Sequence, residues 1–321
     1  MDSRRVGRSG LEVSRLALGT MTWGRDTGAD DAAAQLEAFV GAGGTLIDTA
    51  NIYGDGDAES IIGTLVPDVV PRSSVVLATT SVGVGGGRGR LLAALDLSLA
   101  RLGTDHVDLW QVHGFDTSVI FEETCSALRM AVDSGRARYV GVSGMTGWQV
   151  ATIAGGLRAF GIPVPLVSVE SEYSLVEREP EDSVLPAAAV HGLGLLAWAP
   201  LGRGVLTGKY RHGTPADSRG ASPHFTRYVG RHRTEHAARV VEAVATAADG
   251  LGTSPLAVAC AWVRDRPGVS SVVIGARDRA QLLGSLAAEE LTLPAEIRAA
   301  LDDVSGTPEP APDPPPDPPT D

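Results

Sequence analysis

The chain has 321 residues, 43% hydrophobic and 21% charged, with a formal net charge of −12. That composition excludes a wholly disordered chain, a collagen and a small disulfide scaffold, and the acidic balance argues against a nucleic-acid partner. Two cysteines, Cys125 and Cys260, are too few for a disulfide framework or a metal cluster, so no metal is expected.

The polar opening Met1-Asp2-Ser3-Arg4-Arg5 has no signal-peptide hydrophobic region, and no run approaches the roughly 18 apolar residues of a spanning helix. A cytoplasmic protein with no membrane partner is the expectation. Residues 4–6 and 11–14 flank Ser9-Gly10 and read as a β-hairpin. Apolar, β-branched runs follow at 16–21, 45–50, 75–81, 107–113, 138–143, 166–171, 195–200 and 272–276. The first seven begin about 30 residues apart, the size of a strand–helix unit. Between them, 33–42, 91–102 and 122–134 place apolar residues three and four apart, the helical spacing. Eight alternating units predict an α/β fold, a closed (β/α)₈ barrel over residues 1–305 with the hairpin across its bottom.

A single long connection, about 70 residues, separates the seventh and eighth runs. A barrel keeps its chemistry at the mouth, where such insertions lie. Between 201 and 236 this one carries Arg203, Lys209, Arg211, Arg219, Arg227, Arg231 and Arg233 against Asp217 and Glu235, a cationic lid suited to an anionic ligand. Lys209 is the only lysine in the chain. Residues 306–321 hold eight prolines and four acids and are expected to form an extended or disordered tail.

Polar residues at strand ends face the mouth. The second run leads into Asp48, Asn51 and Tyr53 and the fourth ends in Gln111-Val112-His113, which puts a carboxylate, a phenol and an imidazole on one rim. A phenol can protonate, an imidazole can orient a carbonyl oxygen, and an acid can tune both. In this order the chain also carries Leu18-Gly19-Thr20-Met21, Asp48-Thr49-Ala50, Tyr53-Gly54, Leu109-Trp110-Gln111-Val112-His113, Gly141-Val142-Ser143, Glu172-Tyr173-Ser174-Leu175, Pro200-Leu201-Gly202-Arg203-Gly204 and Gly275-Ala276-Arg277. With these landmarks it resembles the aldo-keto reductase family over about residues 4–305.

The resemblance implies a barrel that binds NADPH across its mouth and reduces a small aldehyde or ketone, or oxidises the corresponding alcohol. It makes Tyr53 the proton donor, His113 the holder of the carbonyl oxygen and Asp48 the buried carboxylate. The cofactor contacts it implies are Gly19, Thr20 and Met21 after the first strand, and Ser143, Gly144 and Glu170 near the nicotinamide carboxamide. Further contacts are Trp198 and Ala199 beside the nicotinamide ring, Leu201, Gly202 and Arg203 along the pyrophosphate, and Gly275, Arg277 and Gln281 at the adenosine 2′-phosphate and ribose. Trp23, Trp110, Phe115 and the loop 82–90 are expected to border the substrate.

Three departures converge on the nicotinamide end. The third run reads Ala78-Thr79-Thr80 where the family has Ala-Thr-Lys, so Thr80 stands in place of the catalytic lysine. Gly144 replaces an asparagine and Glu170 a glutamine. The lysine supplies a positive charge beside the phenol; here Arg88 or Arg90 would have to replace it. Two alternatives therefore accompany the reductase. One is a non-redox lyase, isomerase or cyclase that reuses Asp48, Tyr53, His113 and Glu170, and the other is an NADPH-sensing or scaffold subunit.

Overall fold

A computed structural model describes residues 1–159, 166–216, 218–222 and 225–306. From residue 307 on, the expected tail lies outside the described residues. The chain opens with an antiparallel hairpin, β1 (Ser3–Arg5) and β2 (Glu12–Ser14). Eight parallel strands then close into a barrel in sequence order: β3 (Leu16–Gly19), β4 (Leu46–Ala50), β5 (Val76–Ser81), β6 (Val107–His113), β7 (Ala137–Ser143), β8 (Leu166–Glu172), β9 (Gly194–Trp198) and β10 (Val269–Gly275), with β10 pairing back onto β3. The expected (β/α)₈ barrel and its hairpin are thus present.

The outer layer follows from the connections. Helices α1 (Ala29–Gly41), α2 (Asp57–Val69), α3 (Arg88–Leu102), α4 (Phe121–Asp133), α5 (Gly147–Ala159) and α6 (Val184–His191) follow β3 to β8 in turn. Helix α1 starts four residues ahead of the periodic stretch because its first turn, Ala29-Asp30-Asp31, is exposed and its apolar face begins at Ala32. The two acids there favour the positive end of the helix dipole.

Much of the long β9–β10 connection is helical rather than loop. It contains α7 (Thr226–Gly230), α8 (Glu235–Leu251) and α9 (Pro255–Arg264), before α10 (Arg279–Leu286) and α11 (Ala295–Ser305) complete the chain. Thr234 and Ser254 cap α8 and α9 by accepting from Ala237 and Ala257 N–H, and Pro255 takes the first helical position. Helix α8 buries Val240, Val241 and Val244 along one face.

Strand alternation divides the core. Inward residues Ala17, Leu46, Ala78, Leu109 and Leu196 meet hairpin residues Val6, Leu11 and Val13, which plug the barrel bottom. Outward residues such as Leu16, Ile47, Leu77 and Trp110 pack against the helices. The plug leaves only the opposite, C-terminal end open for a ligand.

Its seating depends on Gly7, where φ is +58° and an added Cβ would lie 2.3 Å from the Gly192 carbonyl oxygen. Arg8 N–H donates to that oxygen at 2.9 Å, so the backbones cannot separate without losing the bond. Gly7→Ala is therefore expected to cost about 2 kcal/mol or more, read as a lowered midpoint in urea unfolding.

Candidate active site

The period of two that builds the barrel also aims the site. On β4, Asp48 and Ala50 point inward between outward Ile47 and Thr49; on β5, Thr80 points inward, and on β6 Gln111 and His113 do so around outward Trp110. Ser143 and Trp198 end β7 and β9 on the same rim, and Glu170 lies two residues before the end of β8. Together with Tyr53 they line a cavity of about 580 Å³.

Tyr53 lies just past β4 in a tight turn with φ of +57° at Gly54, +56° at Asp55 and +101° at Gly56. Arg101 of α3 holds this turn by donating to the carbonyls of Asn51 (3.1 Å) and Asp55 (3.3 Å) and to Glu59 (3.3 Å). Fully buried Glu59 accepts in turn from Thr79 at 2.7 Å. A phenol on a loop is thereby tied to strand and helix.

Inside the mouth, Gln111 connects the departures from the family pattern. Its Nε2 donates to Glu170 (3.1 Å) and to the Thr80 hydroxyl (3.3 Å), while its Oε1 accepts from Ser168 (2.9 Å). His113 Nδ1 lies 3.1 Å from the Ser143 hydroxyl. Gly144, at φ +63°, leaves room for that imidazole, because an added Cβ would lie 2.5 Å from His113 Cε1. The glycine in place of asparagine and the position of the histidine are one feature.

The electrostatics follow from the missing lysine. Burial, and then the Glu170 carboxyl, hold Asp48 well above the usual carboxylate range. Burial pushes Glu170 up to about 7, against hydrogen bonds from Ser143 and Gln111 that act to lower it. Burial, then Asp48, Glu170 and Tyr228, raise the Tyr53 phenol well above 10. Among the described residues, no basic side chain offsets any of the three. Arg88 and Arg90 do not replace the lysine: neither lines the cavity, and the Arg88 guanidinium donates to Ser126 on α4 (3.4 Å). Desolvation lowers the His113 pKa, so its ring is neutral at pH 7.

Of the residues expected to touch a cofactor, Gly19, Thr20, Met21, Ser143, Glu170, Trp198, Ala199, Leu201, Arg203, Gly275, Arg277 and Gln281 line the cavity, whereas Gly144 and Gly202 do not. The aromatic border lies elsewhere. Trp110 points outward and donates to Ser81 (3.0 Å), Trp23 is buried against Gln35 (3.2 Å), and Phe115 packs edge-on with Trp148. Alternation along β6 was the signal against Trp110. Val82, the first residue of the expected loop, does line the cavity, as do Ile52 and Tyr228, which were not expected there.

The lid is less cationic than its sequence, because acids from other elements meet its arginines. Arg203 forms a two-pronged pair with buried Glu172, which His232 also approaches at 2.8 Å. Arg231 pairs with Glu177, and Arg211 with Glu242 on α8. Glu172, Glu177 and His232 place ligand atoms within 4.8 Å of one another, but Arg203 and Arg231 already neutralise Glu172. Besides Arg203, the lid cations Lys209 and Arg219 line the cavity, and with Arg277 after β10 they form its basic wing.

A buried carboxyl raised to about 7 carries a proton in the folded state that it lacks when unfolded between pH 4.5 and 7, so its stability contribution falls as pH rises through that window. Glu170→Gln removes the penalty. The variant is expected to exceed the parent by about 3 kcal/mol at pH 8 and by nothing near pH 4, read from urea unfolding at each pH.

A family model described as "Aldo/keto reductase family" matches residues 15–305. A probable voltage-gated potassium channel subunit beta from rice is 35% identical, covering 90% of this chain and 91% of that protein. An uncharacterized oxidoreductase of Bacillus subtilis is also 35% identical, over 95% and 96% of the two chains. L-glyceraldehyde 3-phosphate reductase of Escherichia coli is 33% identical over 88% and 86%. The chain belongs to the aldo/keto reductase family.

Proposed function

We propose that this protein is an NADPH-dependent reductase of a small aldehyde or ketone, with Tyr53 as proton donor and His113 as the group that orients the carbonyl oxygen. The observation that carries the reading is one cavity that runs from Tyr53, His113 and Asp48 to a basic wing of Lys209, Arg219 and Arg277. A phosphorylated dinucleotide needs both ends.

The basic wing fits an anion on its own terms. The Arg219 guanidinium is held below its ordinary range by burial, with Arg277 and Arg25 adding repulsion and Tyr228 and Asp26 opposing it. Arg219 and Arg277 also line an adjoining hollow of about 200 Å³ with Asp26 and Phe225. A phosphate there would relieve the crowding of guanidiniums. Residues 201–204 turn through φ of +54° at Gly202, +57° at Arg203 and +97° at Gly204 and bring main chain to the cavity wall.

NADPH, when bound, supplies a hydride to the carbonyl carbon. Tyr53 then gives its hydroxyl proton to the oxygen, and neutral His113 holds that oxygen in line. The raised Tyr53 pKa keeps the phenol a donor throughout the working range, but no neighbouring cation stabilises the phenolate left behind. Proton transfer is slower than with a lysine by about 10²–10⁴-fold. No described helix is long and apolar enough to cross a membrane.

Tyr53→Phe is expected to lower kcat by about 10²-fold or more, with NADPH affinity by fluorescence titration unchanged. Thr80→Lys is expected to raise kcat/KM for carbonyl reduction by a similar factor. If NADPH binds but the Thr80→Lys variant still reduces nothing, the acid–base set Asp48, Tyr53, His113 and Glu170 serves a non-redox reaction instead. Arg277→Met is expected to weaken NADPH binding about 10-fold or more while sparing NADH.

A further inference from the structure

The lysine's replacement leaves more than a missing charge. Thr80 is 4% exposed and lines the cavity, and it pairs in the sheet with Ala50 and Gln111, so its short side chain sits between β4 and β6 at the barrel mouth. On one side is Asp48, 3% exposed, whose Oδ1 has no hydrogen-bond partner. Across the barrel is Glu170, 5% exposed, which accepts from Gln111. Both carboxyls line the same cavity. Two buried carboxyls and an unsatisfied carboxyl oxygen are a costly arrangement unless something positive joins them.

The basic residues of the cavity do not join them. Arg203 is spent on Glu172, and Lys209, Arg219 and Arg277 belong to the β9–β10 connection and the end of β10. The remaining walls of this end combine the polar groups of Tyr53, His113 and Ser143 with the apolar or aromatic surface of Ala50, Ile52, Val82 and Trp198. A bare inorganic cation wants several oxygen ligands in place of its waters. An alkylated nitrogen cation wants one or two carboxylates for its N–H groups and apolar or aromatic surface for its carbons.

We propose that the volume left by the lysine is a subsite for a small organic nitrogen cation, the ammonium or iminium group of a substrate, held by Asp48 and Glu170 beside Thr80. The proposal rests on the reading of this cavity as a reductase site and moves its substrate class from plain carbonyls to compounds that bear a nitrogen cation, an iminium or an amino carbonyl. A carbonyl oxygen gains negative charge as it is reduced, which two carboxyls oppose. An iminium nitrogen enters already positive, and the same carboxyls favour its protonated, reactive form. The chain thus obtains from its substrate the charge that relatives with the lysine carry themselves.

Pyrrolidinium chloride, titrated calorimetrically into the protein without cofactor, is the direct test. Binding with Kd of about 1 mM or tighter is expected at pH 8. The titratable groups that face the subsite are Asp48 on β4, Tyr53 after it, His113 on β6, Glu170 on β8 and Tyr228 in the lid. Affinity is expected to fall about 10-fold from pH 8 to pH 6 as Glu170 takes up its proton. Glu170→Gln is expected to weaken binding about 10-fold, and Thr80→Lys, which supplies a tethered ammonium, to abolish it. Both variants install residues that the family carries at these positions, and thermal unfolding checks that each is folded.

Absence of pyrrolidinium binding in a protein that binds NADPH overturns the subsite and leaves the reductase reading standing. Pyrrolidinium binding without NADPH binding supports the subsite and overturns that reading. Displacement of pyrrolidinium by an equal concentration of potassium chloride overturns the organic assignment, as does undiminished binding by Thr80→Lys.

Discussion

The site is governed by the burial of two carboxyls at the open end of a barrel, with no basic side chain among the described residues to offset them. Asp48 and Glu170 are each at least nine-tenths buried, and each is pushed toward its protonated form. Around this pair the polar network makes sense. Gln111 donates to Glu170 and Thr80, Ser168 fixes the Gln111 amide, and Gly144 admits the His113 ring. Every one of these groups points inward because the strands alternate, and they meet at one end because the hairpin fills the other.

The surroundings separate rigid from adaptable parts. Tyr53 is held by a turn whose carbonyls accept from Arg101, with Glu59 and Thr79 behind it. The lid is tied down by Glu172, whose carboxylate is met by Arg203 and His232. Several lid arginines pair with the protein's own acids, and other cations that line the cavity lie on its basic wing. This division gives one cavity an anion-seeking end and an end that lacks a positive charge.

The barrel was legible in the sequence because its determinants are local and repeated: strand-length apolar runs at constant spacing, with amphipathic stretches between them. Element ends were less so. The first turn of α1 is polar, and its helical state depends on dipole and capping effects that periodicity does not record. The candidate catalytic positions could be brought together on one rim because strand ends define the mouth. The aromatic border could not, since the ring size of Trp110 suggested a pocket while its register turned it toward the helices. The charge of the lid misled for a different reason: Glu172 and Glu177 lie outside the connection and Glu242 lies beyond 236 on α8, and they meet the lid arginines only in space. The coupling of Gly144 to His113 is likewise a contact across a strand end that spacing does not reveal.

The account's central claim is that the mouth keeps a proton on its carboxyl pair near neutral pH because no cation offsets it. Infrared difference spectroscopy of the protein without ligand, titrated from about pH 5 to pH 9, observes this directly through the carbonyl stretch of a protonated carboxyl. The account predicts a band that disappears with a midpoint of about 7 and is lost in Glu170→Gln. Full ionisation of both carboxyls already at pH 5, with no such band, would contradict it.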